Sequence, residues 1–183
     1  MQKLFMATVI AALLLTQSSL VLGGTLTGEV TYVGEPPQPA VLKAGTDQFC
    51  MQATKTRYAE DLVVSQAKGI QNVVVSLFRV TGKFEPPKEG GPVLDQVNCT
   101  YTPHVLAVLA GTTVNIRTSD PTLHNVHSHA KTNEEVNWAM PIKDMTLPYK
   151  TTGPEDILMS CDVHNWMSAY IIVLDNPYFA VTG

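Results

Sequence analysis

Residues 161–167 read C-D-V-H-N-W-M and lie between two strand-like runs, Asp156–Ser160 and Tyr170–Leu174. A thiol, an imidazole and a thioether within one short loop form a soft set of ligands that suits copper. A turn that joins two strands can wrap such side chains around a single ion. The stretch therefore predicts a strand–loop–strand unit whose loop binds a metal.

A second nitrogen ligand, beside His164, is expected from another loop, D-P-T-L-H-N at residues 120–125. It follows the strand-like run Thr112–Arg117 and contributes His124. Two imidazoles and one thiolate, with a weak axial methionine, form an electron-transfer copper site. Zinc is the main alternative, but it prefers a tetrahedral set of nitrogen and sulfur ligands and gains little from methionine. Each residue alone has an ordinary structural explanation, whereas the spacing C-x2-H-x2-M with an upstream H-N pair favours the metal.

Short strand-like segments separated by turn residues also occupy the rest of the chain, and no long helix or internal repeat is apparent. Hydrophobic residues make up 45% of the sequence and charged residues 15%, which is typical of a folded domain. This spacing predicts an all-β fold, an antiparallel Greek-key β-sandwich. The segments are Thr25–Val33, Ile70–Val80, His104–Leu109, Thr112–Arg117, Val136–Met140, Asp156–Ser160 and Tyr170–Leu174.

The first residues are typical of a secretory signal peptide, Met1–Gly23. Lys3 supplies the positive charge, and the apolar run that follows is shorter than the roughly 20 residues that a membrane span needs. A membrane anchor is therefore the weaker alternative, and the mature protein is expected to be soluble in the periplasm. The 12 basic and 16 acidic residues, without a basic cluster, argue against nucleic acid as a partner.

The stretch Tyr101–Leu174 resembles the cupredoxins, the small blue copper proteins that include plastocyanin, pseudoazurin and amicyanin. The resemblance is carried by Y-T-P-H-V-L-A-V-L-A-G-T-T-V-N-I-R, D-P-T-L-H-N-V and C-D-V-H-N-W-M-S-A-Y-I-I-V. It implies one type 1 copper ion bound by His124, Cys161, His164 and Met167. It also implies that the edge of the loop histidine lies at the surface, in an apolar docking patch that includes Trp166.

Two residues beside the ligands have expected supporting roles. By resemblance, Asn125 ties the two ligand loops together. Val163 stands where amicyanin and plastocyanin have a proline, so the chain has an additional backbone N–H at this position. That N–H either donates to the copper-bound sulfur of Cys161, or Val163 merely fills an apolar gap.

The segment before Tyr101 is longer than a minimal cupredoxin needs. We expect one continuous sandwich with an elaborated amino-terminal β extension, in preference to two independent domains. The predicted division is a signal peptide at residues 1–23, the extension at 24–93 and a copper-binding region at 94–183.

Two cysteines and two histidines remain. Once Cys161 is assigned to the metal, Cys50 and Cys99 are the natural disulfide pair, although two free buried cysteines are an alternative. His127 and His129 would share one face of a strand. They either bind a second metal or are surface histidines on a strand that leaves the site.

The resulting prediction is a monomeric periplasmic carrier of single electrons that turns over no substrate itself. By resemblance, its partner is a redox protein such as a c-type cytochrome or a membrane oxidase. One alternative is a copper-trafficking or storage module without a redox circuit. Another is a metalloenzyme that uses the H-x2-H-x-H cluster at residues 124–129 around a metal with an open position.

Overall fold

The structure is a computed structural model that describes residues 23–43, 45–54 and 56–183. The predicted signal peptide, apart from Gly23, lies outside the described residues. These residues form one short helix, α1 (Gln48–Ala53), and thirteen strands. The strands are β1 (Val41–Leu42), β2 (Arg57–Tyr58), β3 (Val74–Ser76), β4 (Val93–Val97), β5 (Thr100–Thr102), β6 (Val105–Leu109), β7 (Thr113–Thr118), β8 (His124–His129), β9 (Asn137–Met140), β10 (Thr146–Lys150), β11 (Glu155–Ser160), β12 (Ser168–Leu174) and β13 (Phe179–Val181).

Nine of these strands form two sheets, in the orders β10-β7-β4-β5 and β6-β12-β11-β8-β9. The β4–β7 and β6–β12 pairs are parallel and the other pairs in these two sheets are antiparallel. The predicted all-β fold is confirmed, but the sheets are mixed, and the expectation of a wholly antiparallel sandwich is wrong. β4 and β6 pair with strands that come later in the chain, so local sequence patterns did not show their parallel pairing.

The core lies between the two sheets. Alternate residues of β7 and β11 are buried, as expected for strands with one face on a core. Contacts cross the interface directly, because the rings of Trp138 and Tyr149 meet edge to face with centroids 6.3 Å apart. The buried apolar set includes Leu94, Tyr101, Val114, Ile116, Val126, Met140, Ile157, Met159, Ala169 and Ile171.

The amino-terminal segment contains less regular structure than its sequence predicts. The run Thr25–Val33 forms only an isolated bridge, Thr31 to Gly69, and Ile70–Val80 is reduced to β3. Neither run pairs with a strand of the two main sheets. High β propensity without such a partner does not produce a long, regularly hydrogen-bonded strand. β3 pairs instead with β13, and β1 pairs with β2.

The predicted division at residues 93/94 falls at the first residue of β4, and whether the amino-terminal segment is a separate unit stays a prediction. α1 lies in residues 41–67, which have no clear sequence pattern, and Asp47 caps its amino terminus by accepting from the backbone N–H of Cys50 at 2.8 Å. Among the described residues, no helix has the length and apolar character needed to cross a membrane.

Candidate metal centre

His124 is the first residue of β8 and is fully buried. Because it is paired with Met140 of β9, its backbone is fixed at the end of the second sheet. Its Nδ1 lies 3.0 Å from Nδ1 of His164. The structure therefore brings the two predicted imidazole ligands together through the same ring nitrogen.

Cys161 follows the last residue of β11, and a tight loop returns the chain to β12. The loop is closed by two backbone hydrogen bonds, from the N–H of Met167 to the carbonyl of His164 at 2.9 Å and from the N–H of Cys161 to the carbonyl of Met167 at 3.4 Å. Sγ of Cys161 lies 3.7 Å from Nδ1 of His164. The three donor atoms of His124, Cys161 and His164 lie within 4.8 Å of one another, and all three residues are buried. Met167 is buried in the same core cluster.

Asn125 links the two ligand loops. Its Oδ1 accepts hydrogen bonds from the backbone N–H groups of Asp162 and Val163, the latter at 3.4 Å. Its own side-chain amide donates to Oδ1 of Asn137 on β9. This is the position that the cupredoxin resemblance implies for Asn125. The side chain of Val163 is 48% exposed, so it does not fill an internal gap.

A buried carboxylate holds the other nitrogen of His124. Asp120 lies four residues earlier, is 2% exposed, and its Oδ2 is 2.9 Å from Nε2 of His124. The same carboxylate accepts from the backbone N–H groups of Asn98 and Cys99, each at 2.7 Å. Because these hydrogen bonds fix the Asp120 carboxylate, it holds the buried ring of His124 in one orientation.

The expectation that the edge of His164 lies at the surface is wrong. His164 is 2% exposed, because residues from the amino-terminal segment pass over its ring. Its Nε2 lies 3.5 Å from Sγ of Cys50 and 3.6 Å from a carboxylate oxygen of Asp47. Trp166 packs against the ring with centroids 4.9 Å apart and does not form a bare patch.

We call the part of the amino-terminal segment that carries Asp47, Cys50 and Arg57 the cover. It is held in place by a disulfide and by the buried guanidinium of Arg57. Cys50 and Cys99 are joined, as predicted, and Cys161 is the free cysteine. Arg57 donates to the carbonyls of Cys50 at 2.6 Å and Asn98 at 3.2 Å. Trp166 Nε1 donates to the carbonyl of Cys99 at 3.0 Å, and the Arg57 guanidinium lies 5.5 Å from the Trp166 ring centroid. Both ends of the disulfide are therefore tied to the ligand loop.

The ionisable donors of the centre have pKa values shifted by burial and by one another. Burial opposes ionisation of Cys161, but the His124 ring and the backbone N–H groups of Asn125, His164 and Val163 leave its pKa below the usual value. Burial likewise disfavours a charged His124, yet hydrogen bonds with Asp120 and Cys161 raise its pKa to about 9. The pKa of His164 is lowered by burial and by the charge of His124. A metal ion competes with protons for these donors.

The two other histidines of the cluster lie apart from this centre. His127 and His129 share one face of β8, with ring centroids 4.3 Å apart. Nδ1 of His127 is 3.1 Å from the carboxylate of Asp162, and Nε2 of His129 is 2.8 Å from the hydroxyl of Ser160. In the described part of the chain, the clusters of three close metal-binding side chains include neither histidine.

Sequence reasoning did not assign roles to Asp47, Asp120 or Arg57. Asp120 had a local signal, since it lies in the same loop as His124 and in front of a proline. Asp47 and Arg57 had none, because they are far from the ligand loops in sequence. The Cys50–Cys99 disulfide, with a sequence separation of 49, links the segment that carries them to the β4–β5 turn.

No protein-family model matches the sequence, and no curated protein matches it. Solved structures that are similar in part include a Cu-containing nitrite reductase (NirK) from Thermus scotoductus SA-01, with 18% identity and a TM-score of 0.46 over 53% of this chain. This chain spans only 25% of that enzyme. A reduced Cu(I) proline-to-glycine mutant of amicyanin is 24% identical over 48% of this chain and 86% of its own, with a TM-score of 0.42. An oxidized proline-to-glycine mutant gives 23% identity over 48% and 85%, with a TM-score of 0.43.

These similarities are distant and cover about half of this chain. The assignment of a metal to this chain therefore rests on its own donor atoms.

Proposed function

We propose that this protein binds one type 1 copper ion through His124, Cys161, His164 and Met167 and carries single electrons. The observation that supports this most directly is that one donor atom from each of the buried residues His124, Cys161 and His164 lies within 4.8 Å of the other two. Copper bound by such a set cycles between Cu(I) and Cu(II).

The donor set fits copper better than it fits the alternatives. Two imidazoles and one thiolate form the trigonal set of an electron-transfer copper site, and a buried thioether in the same loop suits a weak axial position. The carboxylate of Asp120 contacts Nε2 of His124, the ring nitrogen that would not bind the metal, and such a carboxylate partner is usual for metal-bound histidines. With four protein ligands, a substrate has no open position, which favours a carrier over an enzyme.

The proposed setting is the periplasm, after removal of residues 1–23. The proposed partner is another redox protein, such as a c-type cytochrome or a membrane oxidase, and the protein acts as a monomer. These proposals follow from the signal-like sequence and from the cupredoxin resemblance.

Storage or trafficking of copper is the second candidate. The burial of His164 beneath Asp47 and the disulfide supports it, since a covered ligand edge slows electron exchange and protects bound Cu(I). An electron carrier must instead exchange electrons through another part of its surface.

A visible spectrum and a redox titration of the copper-loaded protein separate these functions. A carrier is expected to bind one copper, to show an intense thiolate-to-Cu(II) band when oxidised, and to titrate reversibly with one electron. A storage module is expected to hold Cu(I) without reversible oxidation. A colourless protein that binds no copper at a one-to-one ratio would overturn the proposal.

A further inference from the structure

The carboxylate of Asp120 is surrounded by donors in the core of the centre. One oxygen, Oδ1, accepts from the backbone N–H of Asn98. The other, Oδ2, accepts from the backbone N–H of Cys99 and contacts Nε2 of His124 at 2.9 Å. A charge that is 2% exposed and has three such partners is fixed in place and poorly shielded by water.

The backbone that holds this carboxylate is itself constrained. Asn98 and Cys99 form the two-residue connection of the β4–β5 hairpin, and both have positive φ angles, 54° and 56°. Two successive positive φ angles are the signature of a type I′ turn, and here the turn presents both of its N–H groups to Asp120. Cys99 is also tied to Cys50 by the disulfide. Asp120 therefore cannot follow the His124 ring if that ring rotates.

We propose that Asp120 is a positioning residue for the copper centre. It binds Nε2–H of His124, directs Nδ1 toward Cys161 and His164, and places a buried negative charge behind the ligand that favours Cu(II) over Cu(I). This inference rests on the proposed copper function and adds to it the residue that sets the balance between the two copper states.

Two other charged side chains near the centre, Asp47 and Arg57, bear on how strongly the charge of Asp120 changes the Cu(I)/Cu(II) ratio. Asp47 makes a longer contact, 3.6 Å, with Nε2 of His164, and its side chain is 24% exposed. Its influence is expected to be weaker because water shields it. The cation of Arg57 acts on Asp120 and offsets part of its charge. Removing one buried unit charge is therefore expected to change the Cu(I)/Cu(II) ratio by about tenfold.

The first test compares Asp120→Asn with Asp144→Asn in the copper-loaded protein. Asp144 is exposed and pairs with Arg117, so its variant removes the same charge from a position that water shields. At the solution potential where the parent is half reduced, Asp120→Asn is expected to raise the Cu(I)/Cu(II) ratio about tenfold, and Asp144→Asn to change it less than twofold. An unchanged ratio in Asp120→Asn, with the visible band intact, would overturn the inference.

The second test needs no variant that could fail to fold. In ¹⁵N-labelled parent protein, in both the Cu(I)-loaded and the metal-free form, Nε2–H of His124 is expected as a slowly exchanging, hydrogen-bonded imidazole resonance. Its absence would refute the role of Asp120 even where copper binding is intact. If the parent fails to cycle copper, the proposed function fails, and this resonance still decides whether Asp120 holds the ring.

Discussion

The two halves of this molecule are built in different ways. Residues 93–174 contain strands of up to seven residues, arranged in two sheets around a common core. Residues 23–92 contain strands of two or three residues and one helix of six. Large apolar side chains in residues 23–92 are exposed, such as Val33 at 93% and Phe78 at 85%.

The amino-terminal segment is fully buried only where it meets the candidate centre. In the described part of residues 23–92, only Cys50 and Arg57 are as buried as the residues of the core. Cys50 is bonded to Cys99, and Arg57 donates to the carbonyls of both turn and helix. The comparison indicates that hydrophobic burial holds the sandwich, whereas one covalent link and a few polar contacts hold the cover.

The first prediction concerns the metal and has the largest expected effect. Cys161→Ser should abolish the visible charge-transfer band, because that band requires a bond between copper and a thiolate. The fold should persist, since serine is close to cysteine in size and the sheets do not depend on this side chain. Absorption spectra of copper-loaded parent and variant check the result, and far-ultraviolet circular dichroism checks the fold.

A band that survives in Cys161→Ser would eliminate the cupredoxin-like site. Cys50→Ala/Cys99→Ala is the matched control, since it removes two sulfurs and leaves the predicted ligand in place. It should remain coloured.

The same double variant provides the second prediction, which separates the cover from the sandwich. Joining Cys50 to Cys99 closes a loop with a sequence separation of 49, so its loss should lower the free energy of unfolding by about 3–4 kcal/mol. Urea denaturation of the parent and the variant measures the difference.

Because the cover is tied mainly by this link, ring N–H exchange at His164 should also accelerate in the double variant. Alkylation of the unreduced parent should modify one cysteine, Cys161. A variant of unchanged stability, or an unreduced parent with three reactive thiols, would show that the disulfide does not hold the two regions together.

The sequence was most informative where a strand has a regular pattern and a neighbour in the main sheets. The segments Thr112–Arg117 and Asp156–Ser160 match β7 and β11 to within one residue. β4, β5 and β10 were not predicted, because they are short and include polar residues or a proline. Their partners lie elsewhere in the chain, and only those long-range pairings define them.

The candidate site shows the same limit. His124, Cys161 and His164 could be proposed from local spacing, and the structure brings them together. The burial of His164 could not be foreseen, since it depends on residues more than one hundred positions earlier in the chain. Local motifs therefore predicted which candidate ligands come together, while tertiary contacts determine their exposure.

The third prediction uses the two ends of β11. Glu155 begins the strand that ends beside Cys161, about 20 Å away. Its carboxylate accepts from the backbone N–H groups of Lys131, Thr132 and Asn133. Glu155→Gln should lower the free energy of unfolding by about 1–2 kcal/mol, after allowance for solvent screening, without changing the copper spectrum. Asp156→Asn, at the exposed neighbouring position, should change stability by less than about 0.5 kcal/mol.

The pH dependence has a defined sign. Burial opposes ionisation of Glu155, but the hydrogen bonds from the side chain and backbone of Asn133 and from the backbone of Lys131 and Thr132 together outweigh it and lower the pKa of Glu155 from its ordinary 4.5 to about 2. Its contribution is therefore present above about pH 4.5 and is lost as the pH falls toward 2. Denaturation at several pH values should show this loss in the parent and not in Glu155→Gln. A parallel pH dependence in both would contradict the role of this carboxylate.

The smallest effect is expected at Val163, which lies between the candidate ligands Cys161 and His164. Its backbone N–H lies 3.4 Å from Oδ1 of Asn125 and is also among the groups that lower the pKa of Cys161. A donor near the sulfur withdraws electron density and favours Cu(I). Val163→Pro removes the N–H, so the Cu(I)/Cu(II) ratio should fall by less than tenfold, which is less than about 59 mV for one electron. Val163→Ala keeps the N–H and loses only a half-exposed side chain, so its potential should match the parent's. If Val163→Pro has the same potential as Val163→Ala, or a higher one, with the visible band intact, this N–H does not tune the copper.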